Sequence, residues 1–197
     1  AATCCELDRR WTAAIEALNS ISEIELEHLT DPVASARTVT RIAKAYIQHG
    51  DGDSIKDARV QLERGLKMLG KNGAFQRTRL ELLLVLAHLD VRTPGAIGCE
   101  SLLIKQCKPL VEFLEKEAGG KDAFLALRAD YEVRLGAALK RSLKLEEAKQ
   151  HLMKGALIRI KLRNWLGTAH AVRHYAGYYF TLASDGGAET RTIEDRR

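Results

Sequence analysis

Two histidines one helical turn apart, in the segment His170-Ala171-Val172-Arg173-His174, have a spacing that places both imidazoles on one face of a helix. Metal sites use this spacing, but the zinc protease motif requires glutamate directly after the first histidine, and this chain has Ala171 there. The neighbouring sequence is rich in bases, so a bound cation would be repelled. We therefore expect no metal ion and no other cofactor.

The cysteines show neither a metal-binding pattern nor a disulfide pattern. Cys4 and Cys5 are adjacent, while Cys99 and Cys107 are eight positions apart. We expect Cys99 and Cys107 to be buried thiols that fill space on one helix face. Because free thiols are typical of a reducing compartment, we also expect an intracellular protein, cytoplasmic or nuclear.

Motifs for nucleophilic or nucleotide chemistry are missing from the sequence. It contains no Gly-x-Ser-x-Gly elbow and no phosphate-binding glycine loop. The paired carboxylates Glu146-Glu147 fall at a predicted helix start, where they complement the positive end of the helix dipole. We expect the chain not to be an enzyme and assign no catalytic residue, so its function must come from the surface that its helices build.

An internal echo predicts how those helices are arranged. Residues 58–65 and 148–155 both carry Ala, Leu and Gly at the same spacing, ninety positions apart. Ahead of each echo a large, large, small, large stripe recurs at i, i+3, i+4 and i+7, first as Val39, Ile42, Ala43 and Tyr46, and then as Val172, Tyr175, Ala176 and Tyr179. Such stripes predict packed helix pairs, since the small residue lets a neighbouring helix approach closely.

The combined pattern resembles the tetratricopeptide repeat, in its longer variety of roughly 40 residues. The match is best where Leu135, Gly136 and Leu139 are followed by Ala148, Leu152 and Gly155. Equivalent positions at Val39, Leu83, Glu132 and Val172 give intervals of 44, 49 and 40 residues. Asp90 and Glu132 depart from the family pattern. The alternative is an ordinary helical bundle with accidental echoes.

The resemblance covers residues 36–183 and implies an all-α, right-handed helical-repeat solenoid of about four helix pairs. We expect one domain over residues 1–184, with residues 1–30 as an N-terminal capping helix or partial repeat and residues 185–197 as a polar tail. The predicted helices are 7–29, 35–49, 54–70, 75–90, 97–117, 122–141, 145–163 and 166–183. Pro109 should kink the fifth of these or begin a new segment, and Ser184-Asp185-Gly186-Gly187 should end the last. No apolar run is long enough to span a membrane.

Charge is unevenly distributed along the chain, whose formal net charge is +5. Residues 1–31 have seven acids against two bases, a net charge of −5, whereas residues 137–175 have nine bases against two acids, a net charge of +7. A basic surface of this density should attract acidic partners.

In the resembled family, ligands lie along the concave surface built by the first helix of each pair. Carried over to this sequence, the groove positions are Arg37, Thr40, Lys44, His88, Ala137, Lys140, His170 and Arg173. We also expect Tyr178 and Phe180 to bind a partner, or a second copy through the C-terminal helix, and Tyr175 and Tyr179 to lie in the core.

The sequence therefore favours a protein-protein interaction scaffold that presents a basic groove to an extended or acidic segment, as part of a larger regulatory or assembly protein. The alternative is a nucleic-acid-associated helical repeat that uses the basic 137–175 stretch. Only Trp165 and Tyr175 are interleaved with those bases as stacking aromatics, which favours the protein partner.

Overall fold

The structure is a computed structural model that describes residues 13, 16, 17, 20, 31–50, 52–70, 73–93, 98–118 and 122–194, with side chains through Phe180. The helices are α1 (Pro32–His49), α2 (Gly52–Leu69), α3 (Gln76–Arg92), α4 (Cys99–Leu102), α5 (Lys108–Ala118), α6 (Asp122–Arg141), α7 (Leu145–Lys161) and α8 (Trp165–Glu194), with a 3₁₀ turn at Gly73–Phe75 and a π-helical segment at Leu103–Cys107. Every regular element in these ranges is helical, which confirms the all-α prediction.

The chain forms two compact units, Ala1–Leu110 and Val111–Arg197. The solenoid arrangement, and a single domain over residues 1–184, stay predictions. The N-terminal helix predicted over residues 7–29 lies outside the described residues except at Ala13, Glu16, Ala17 and Ser20, which are helical and exposed.

Local sequence signals explain where α1 begins and ends. The Asp31 carboxylate accepts a hydrogen bond from the Val33 N–H at 2.9 Å, and Pro32 occupies the first turn, where its missing N–H costs nothing. At the other end, Gly50 adopts the left-handed conformation with φ of 84° and donates its N–H to the Tyr46 carbonyl. Both signals can be read from the sequence alone.

In the first unit, α1, α2 and α3 pack against one another around a leucine- and alanine-rich core. The predicted α1 stripe is confirmed, since Val39, Ile42 and Ala43 are fully buried and Tyr46 packs against the core. Leu83, Leu86 and Ala87 of α3 are also buried, and Leu83 is the position that the repeat pattern aligns with Val39.

Gly65 marks a close approach between α2 and its two neighbours. A β-carbon at this position would lie 2.5 Å from Leu82 Cδ2 of α3 and 2.7 Å from Val39 Cγ2 of α1. Both distances are shorter than van der Waals contact, so the small residue of the echo is needed sterically here.

We expect Gly65→Ala to lower the free energy of unfolding by about 1–2 kcal/mol, because overpacking a core outweighs the gain of at most about 1 kcal/mol in helix propensity. Urea denaturation followed by circular dichroism measures the change. Gly52→Ala is the matched control on the same helix, since a β-carbon there meets nothing within 4 Å. An unchanged midpoint for Gly65→Ala would contradict the close approach.

The segment around Pro109 is interrupted, as predicted. A π-helical stretch at Leu103–Cys107 precedes α5, and the Lys108 N–H donates to the Leu103 carbonyl five residues earlier. The wider turn accommodates a proline that cannot donate its own N–H. Cys99 and Cys107 are buried and not joined in a disulfide, as expected, and the Cys99 thiol donates to the Ala87 carbonyl at 3.3 Å.

Asp90, which departs from the family pattern, is 7% exposed and forms an ion pair with Arg59 of α2. A buried carboxylate requires such a partner, because desolvation without one is costly. Asp90, although it departs from the repeat pattern, therefore connects α3 to α2.

In the second unit, α7 packs against both α6 and α8, and the two connecting turns are built in the same way. Leu143 and Arg163 have positive φ angles of 59° and 52°. The next residues, Lys144 and Asn164, donate their N–H groups to carbonyls five positions earlier, at 3.0 Å and 2.9 Å. This is the Schellman helix end, and it occurs in two successive hairpins.

Glycine also permits the close contact between α6 and α7. A β-carbon at Gly155 would lie 2.5 Å from Val133 Cγ2, and one at Gly136 would lie 2.7 Å from Leu152 Cγ. Ala148, Leu152 and Gly155 are buried, as are their counterparts Ala58, Leu62 and Gly65. The echo therefore corresponds to the same kind of helix contact in both units.

Glu132, the other departure from the pattern, is 5% exposed on α6. Its carboxylate lies 2.6 Å from His151 Nδ1 of α7 and 3.7 Å from Arg128 Nε. As with Asp90, a buried acid joins two helices.

Two predictions for α8 are wrong. The helix does not end at Ser184 but continues to Glu194. Its buried stripe also lies one residue earlier than predicted, because Ala171 is fully buried whereas Val172 is 51% exposed. The inward positions are Ala171, His174, Tyr175 and Tyr178 instead of Val172, Tyr175, Ala176 and Tyr179.

Candidate partner-binding face

The orientation of α8 in the second unit determines which of its residues can meet a partner. Ala171 packs in a core with Val133 of α6 and Leu152 of α7, and Tyr175 packs against this core. The residues on either side of this buried stripe form two flanks of α8. One flank, which carries His170, His174 and Gly177, lies towards α6.

The α6-facing flank of α8 is basic. The His170 and His174 rings are 4.8 Å apart in an edge-to-face arrangement. The Lys140 ammonium of α6 lies against Gly177, where a β-carbon would be 2.9 Å from Nζ. A side chain at position 177 would therefore displace this ammonium.

We call these residues the α6–α8 basic face, consisting of Arg134, Lys140, His170, Arg173 and His174. Their charges act on one another. The pKa of His174 is lowered from 6.5 to about 4, chiefly by burial and then by the charges of His170, Lys140, Arg134 and Arg173. A half-buried imidazole among cations remains neutral because protonation would add another positive charge.

The pKa of His170 is lowered as well, although this side chain is only partly buried. Burial is the largest cause, followed by the charges of Arg159, Arg134 and Arg173, while Asp130 acts in the opposite direction. A carboxylate therefore lies close enough to His170 to influence its pKa, although the sequence around the histidines is rich in bases.

Asp130 forms an ion pair with the largely buried guanidinium of Arg159. The Arg159 side chain is 9% exposed, and its Nη2 lies 2.5 Å from Asp130 Oδ1. Arg159 Nη1 also donates to the Gly167 carbonyl at 2.5 Å, next to the start of α8. Arg159 thus connects α7 to both α6 and α8, and its charge partly offsets that of Asp130.

The structure brings together three of the predicted groove residues, Lys140, His170 and Arg173, and adds two that the sequence analysis missed. Arg134 lies one helical turn before the predicted position Ala137, so extending the groove series backwards would have found it. The sequence analysis considers His174 only as a candidate metal ligand. Ala137 itself is buried, with 4% exposure, and so is not a groove residue.

The remaining predicted groove residues belong to the first unit. Arg37 and Lys44 are exposed on α1, two turns apart, and Arg41 is exposed between them. His88 is half-buried on α3. Thr40 is a wrong prediction, because it is buried and its hydroxyl donates to the Ala36 carbonyl at 2.6 Å.

The prediction that Tyr178 binds a partner is also wrong. Tyr178 is 2% exposed, and its hydroxyl donates to Glu146 Oε1 of α7 at 2.9 Å. Tyr179, expected in the core, is 52% exposed, and its hydroxyl lies 3.1 Å from that of Tyr175. Phe180 is 81% exposed, and its role in partner binding stays a prediction.

Comparison with known proteins gives no match for this chain among protein-family models, curated proteins or solved structures. The resemblance to the tetratricopeptide repeat therefore rests on the residues alone. Across the described part of the chain, no helix has the length and apolar character needed to cross a membrane.

The described residues also show no cluster of three or more histidine, cysteine or carboxylate side chains placed to hold a metal ion. What the α6–α8 basic face offers is a set of hydrogen-bond donors and positive charges from two helices. Such a surface can hold carboxylates by charge-assisted hydrogen bonds.

Proposed function

We propose that this chain is a protein-protein interaction module whose α6–α8 basic face binds an acidic, extended segment of a partner protein. The observation that carries the proposal is the convergence of Arg134 and Lys140 from α6 with His170, Arg173 and His174 from α8. The charges of Arg134, Lys140 and Arg173 are near enough to help lower the pKa of His174, and those of Arg134 and Arg173 act on His170 in the same direction. A partner carboxylate placed among them would offset this repulsion.

Each residue of the α6–α8 basic face would make a different kind of contact with such a partner. Arg173 is exposed and can make a two-pronged contact with one carboxylate, whereas Lys140 presents a single ammonium beside Gly177. His170 can donate from one ring nitrogen even when the imidazole is neutral. In the first unit, Arg37 and Lys44 are exposed on one side of α1 and provide a second, smaller basic surface, while His88 is half-buried on α3.

An acidic peptide fits this surface better than single-stranded RNA does. Sequence-tolerant RNA binding uses aromatic rings on which bases stack. Of the two aromatic residues within the basic stretch, Trp165 is 68% exposed, but Tyr175 packs against the core of the unit. The proposal assigns binding and no catalysis to the chain, which would act within a larger regulatory or assembly protein.

Fluorescence anisotropy with labelled glutamate-rich peptides and labelled single-stranded RNA, across a salt series, tests the proposal. We expect the full chain to bind the peptides, and Lys140→Glu with Arg173→Glu to weaken binding by about 10- to 100-fold, since two charged contacts are lost. Lys105→Glu with Lys116→Glu is the matched control, because both lysines are exposed and the change in net charge is the same.

Three results would overturn the proposal. One is an equal loss of affinity in both double variants, which would indicate a diffuse charge effect. Another is retention of RNA alone with a steep salt dependence. The third is undiminished peptide binding by the Lys140→Glu, Arg173→Glu variant. Adding Lys44→Glu to that variant tests the first unit in the same way.

A further inference from the structure

The face of α7 that points away from its buried positions carries an exposed apolar stripe. Met153, Leu157 and Ile160 are 45%, 61% and 46% exposed and follow one another at i, i+4 and i+7. That spacing places them on one line along the helix. Single exposed hydrophobic residues are common on protein surfaces, but a continuous line of them indicates an interaction surface.

α8 carries a second exposed stripe on the flank opposite His170 and His174. Trp165, Val172 and Tyr179 are 68%, 51% and 52% exposed and recur every seven residues. Because α7 and α8 pack directly against each other, both stripes belong to one helix pair. We call the two stripes together the α7–α8 apolar face.

The α7–α8 apolar face has a basic margin on α7. Lys154 and Lys161 are exposed and lie one turn to either side of Leu157, and Arg163 is exposed in the following turn. Acids are also present at the start of α7, where Glu146 accepts the Tyr178 hydrogen bond and Glu147 is exposed. The middle and end of the stripe are thus flanked by positive charge.

An occupant of this face should therefore be an amphipathic helix with an apolar stripe and acidic flanks. The chain contains such a sequence in residues 7–29. The apolar residues predicted to share one side are Leu7, Trp11, Ala14, Ile15, Leu18, Ile21 and Leu26, and residues 1–31 have a net charge of −5. Glu16, one of its described residues, is helical and exposed.

Charge also argues against pairing of the α7–α8 apolar face with itself. A symmetric dimer through this face would bring Lys154, Lys161 and Arg163 of each copy towards the same residues of the other. Such like-charge contacts are unfavourable, whereas contact with the acidic segment brings opposite charges together.

We propose that residues 7–29 of one copy bind the α7–α8 apolar face of a second copy, so that the chain associates head to tail. The interface is heterologous, because the two copies contribute different surfaces. Each added copy leaves one face and one segment available, so association continues beyond the dimer as concentration rises. This inference does not rest on the acidic-partner function proposed above.

Sedimentation velocity of the full chain over a concentration series, with complementation between two variants, tests the proposal. The face variant is Leu157→Asp with Val172→Asp, which changes two exposed side chains. The segment variant is Trp11→Asp with Ile15→Asp. Val60→Asp is the control, since Val60 is a 60% exposed apolar residue of α2, outside both surfaces.

We expect the unmodified chain and the Val60→Asp control to associate with increasing concentration, and each double variant to sediment as a monomer. A mixture of the two variants should form a dimer and stop there, because each retains one intact half of the interface. If the mixture stays monomeric, if the unmodified chain is monomeric throughout, or if Val60→Asp abolishes association, the proposal is wrong.

Charge variants provide a second readout in case the aspartate variants unfold. We expect Lys154→Glu with Lys161→Glu to weaken association, and the added changes Glu16→Lys and Glu23→Lys in the same chain to restore it. Absence of restoration, with circular dichroism showing intact helices, would overturn the pairing. Lys140 and Arg173 are unchanged in all these variants, so the result is distinguishable from failure of the acidic-partner proposal.

Discussion

Arg159→Ala is expected to lower the free energy of unfolding by about 1–3 kcal/mol, because it removes two hydrogen bonds made by a largely buried guanidinium together with the packing of that side chain. The Arg159 side chain is 9% exposed and contacts Asp130 of α6 and the Gly167 carbonyl of α8. Its loss therefore removes a contact that joins α6, α7 and α8. Guanidinium chloride denaturation measures the change.

Two further variants separate charge from geometry at this position. Arg159→Lys keeps the positive charge but cannot reach two partners with a planar fork, so we expect an intermediate loss. Asp130→Asn should cost less than either, since the Asp130 side chain is 44% exposed and Arg159 keeps its bond to Gly167. If Arg159→Ala were as stable as Asp130→Asn, the joining role of Arg159 would be refuted.

Stability is expected to fall as the pH is lowered through the range in which His174 titrates in the unfolded chain. The pKa of His174 is about 4 in the folded protein and 6.5 ordinarily, so the unfolded chain takes up the proton first. The stabilisation is fully present above about pH 6.5 and is lost between that pH and about pH 4. We expect the loss from this one residue to reach about 1–3 kcal/mol.

His174→Gln isolates this effect from the carboxylates that titrate in the same range. Glutamine is neutral throughout, so the difference in unfolding free energy between the two proteins should narrow or reverse sign as the pH falls from 7 to 4. His170→Gln should flatten the profile less, because His170 is exposed. Parallel pH profiles for the unmodified chain and His174→Gln would contradict the assigned environment of His174.

Much of the helical framework could be predicted from local sequence. The bounds of α6 match the predicted 122–141. The predicted start of α1 at residue 35 is three residues late, because Asp31 caps the helix and Pro32 occupies its first turn, a signal that is present in the sequence. The segment preceding Pro109 is interrupted as a proline requires. These features depend on residues within a few positions of one another, and such interactions are readable from the sequence.

The candidate site was predictable only in part. Lys140, His170 and Arg173 were found because the resemblance to the tetratricopeptide repeat assigned the groove to the first helix of each pair, and these residues lie at the carried-over positions. Tyr178 was wrongly placed on the surface, since a stripe at 171, 174, 175 and 178 differs from one at 172, 175, 176 and 179 by a single residue. Rotation of about 100° separates the two, and packing against α6 and α7 decides between them.

The sequence by itself determined that the chain is helical, where most helices begin and end, and which small residues let α2 and α7 pack closely. Only the tertiary structure decided which side of α8 is buried, that Arg159 joins three helices, and that Asp90 and Glu132 are buried beside their partners. Arg59 is 31 positions from Asp90, and His151 is 19 positions from Glu132. A charged side chain can be buried only when a partner such as these lies beside it. Helical periodicity does not reveal which distant residue that partner is.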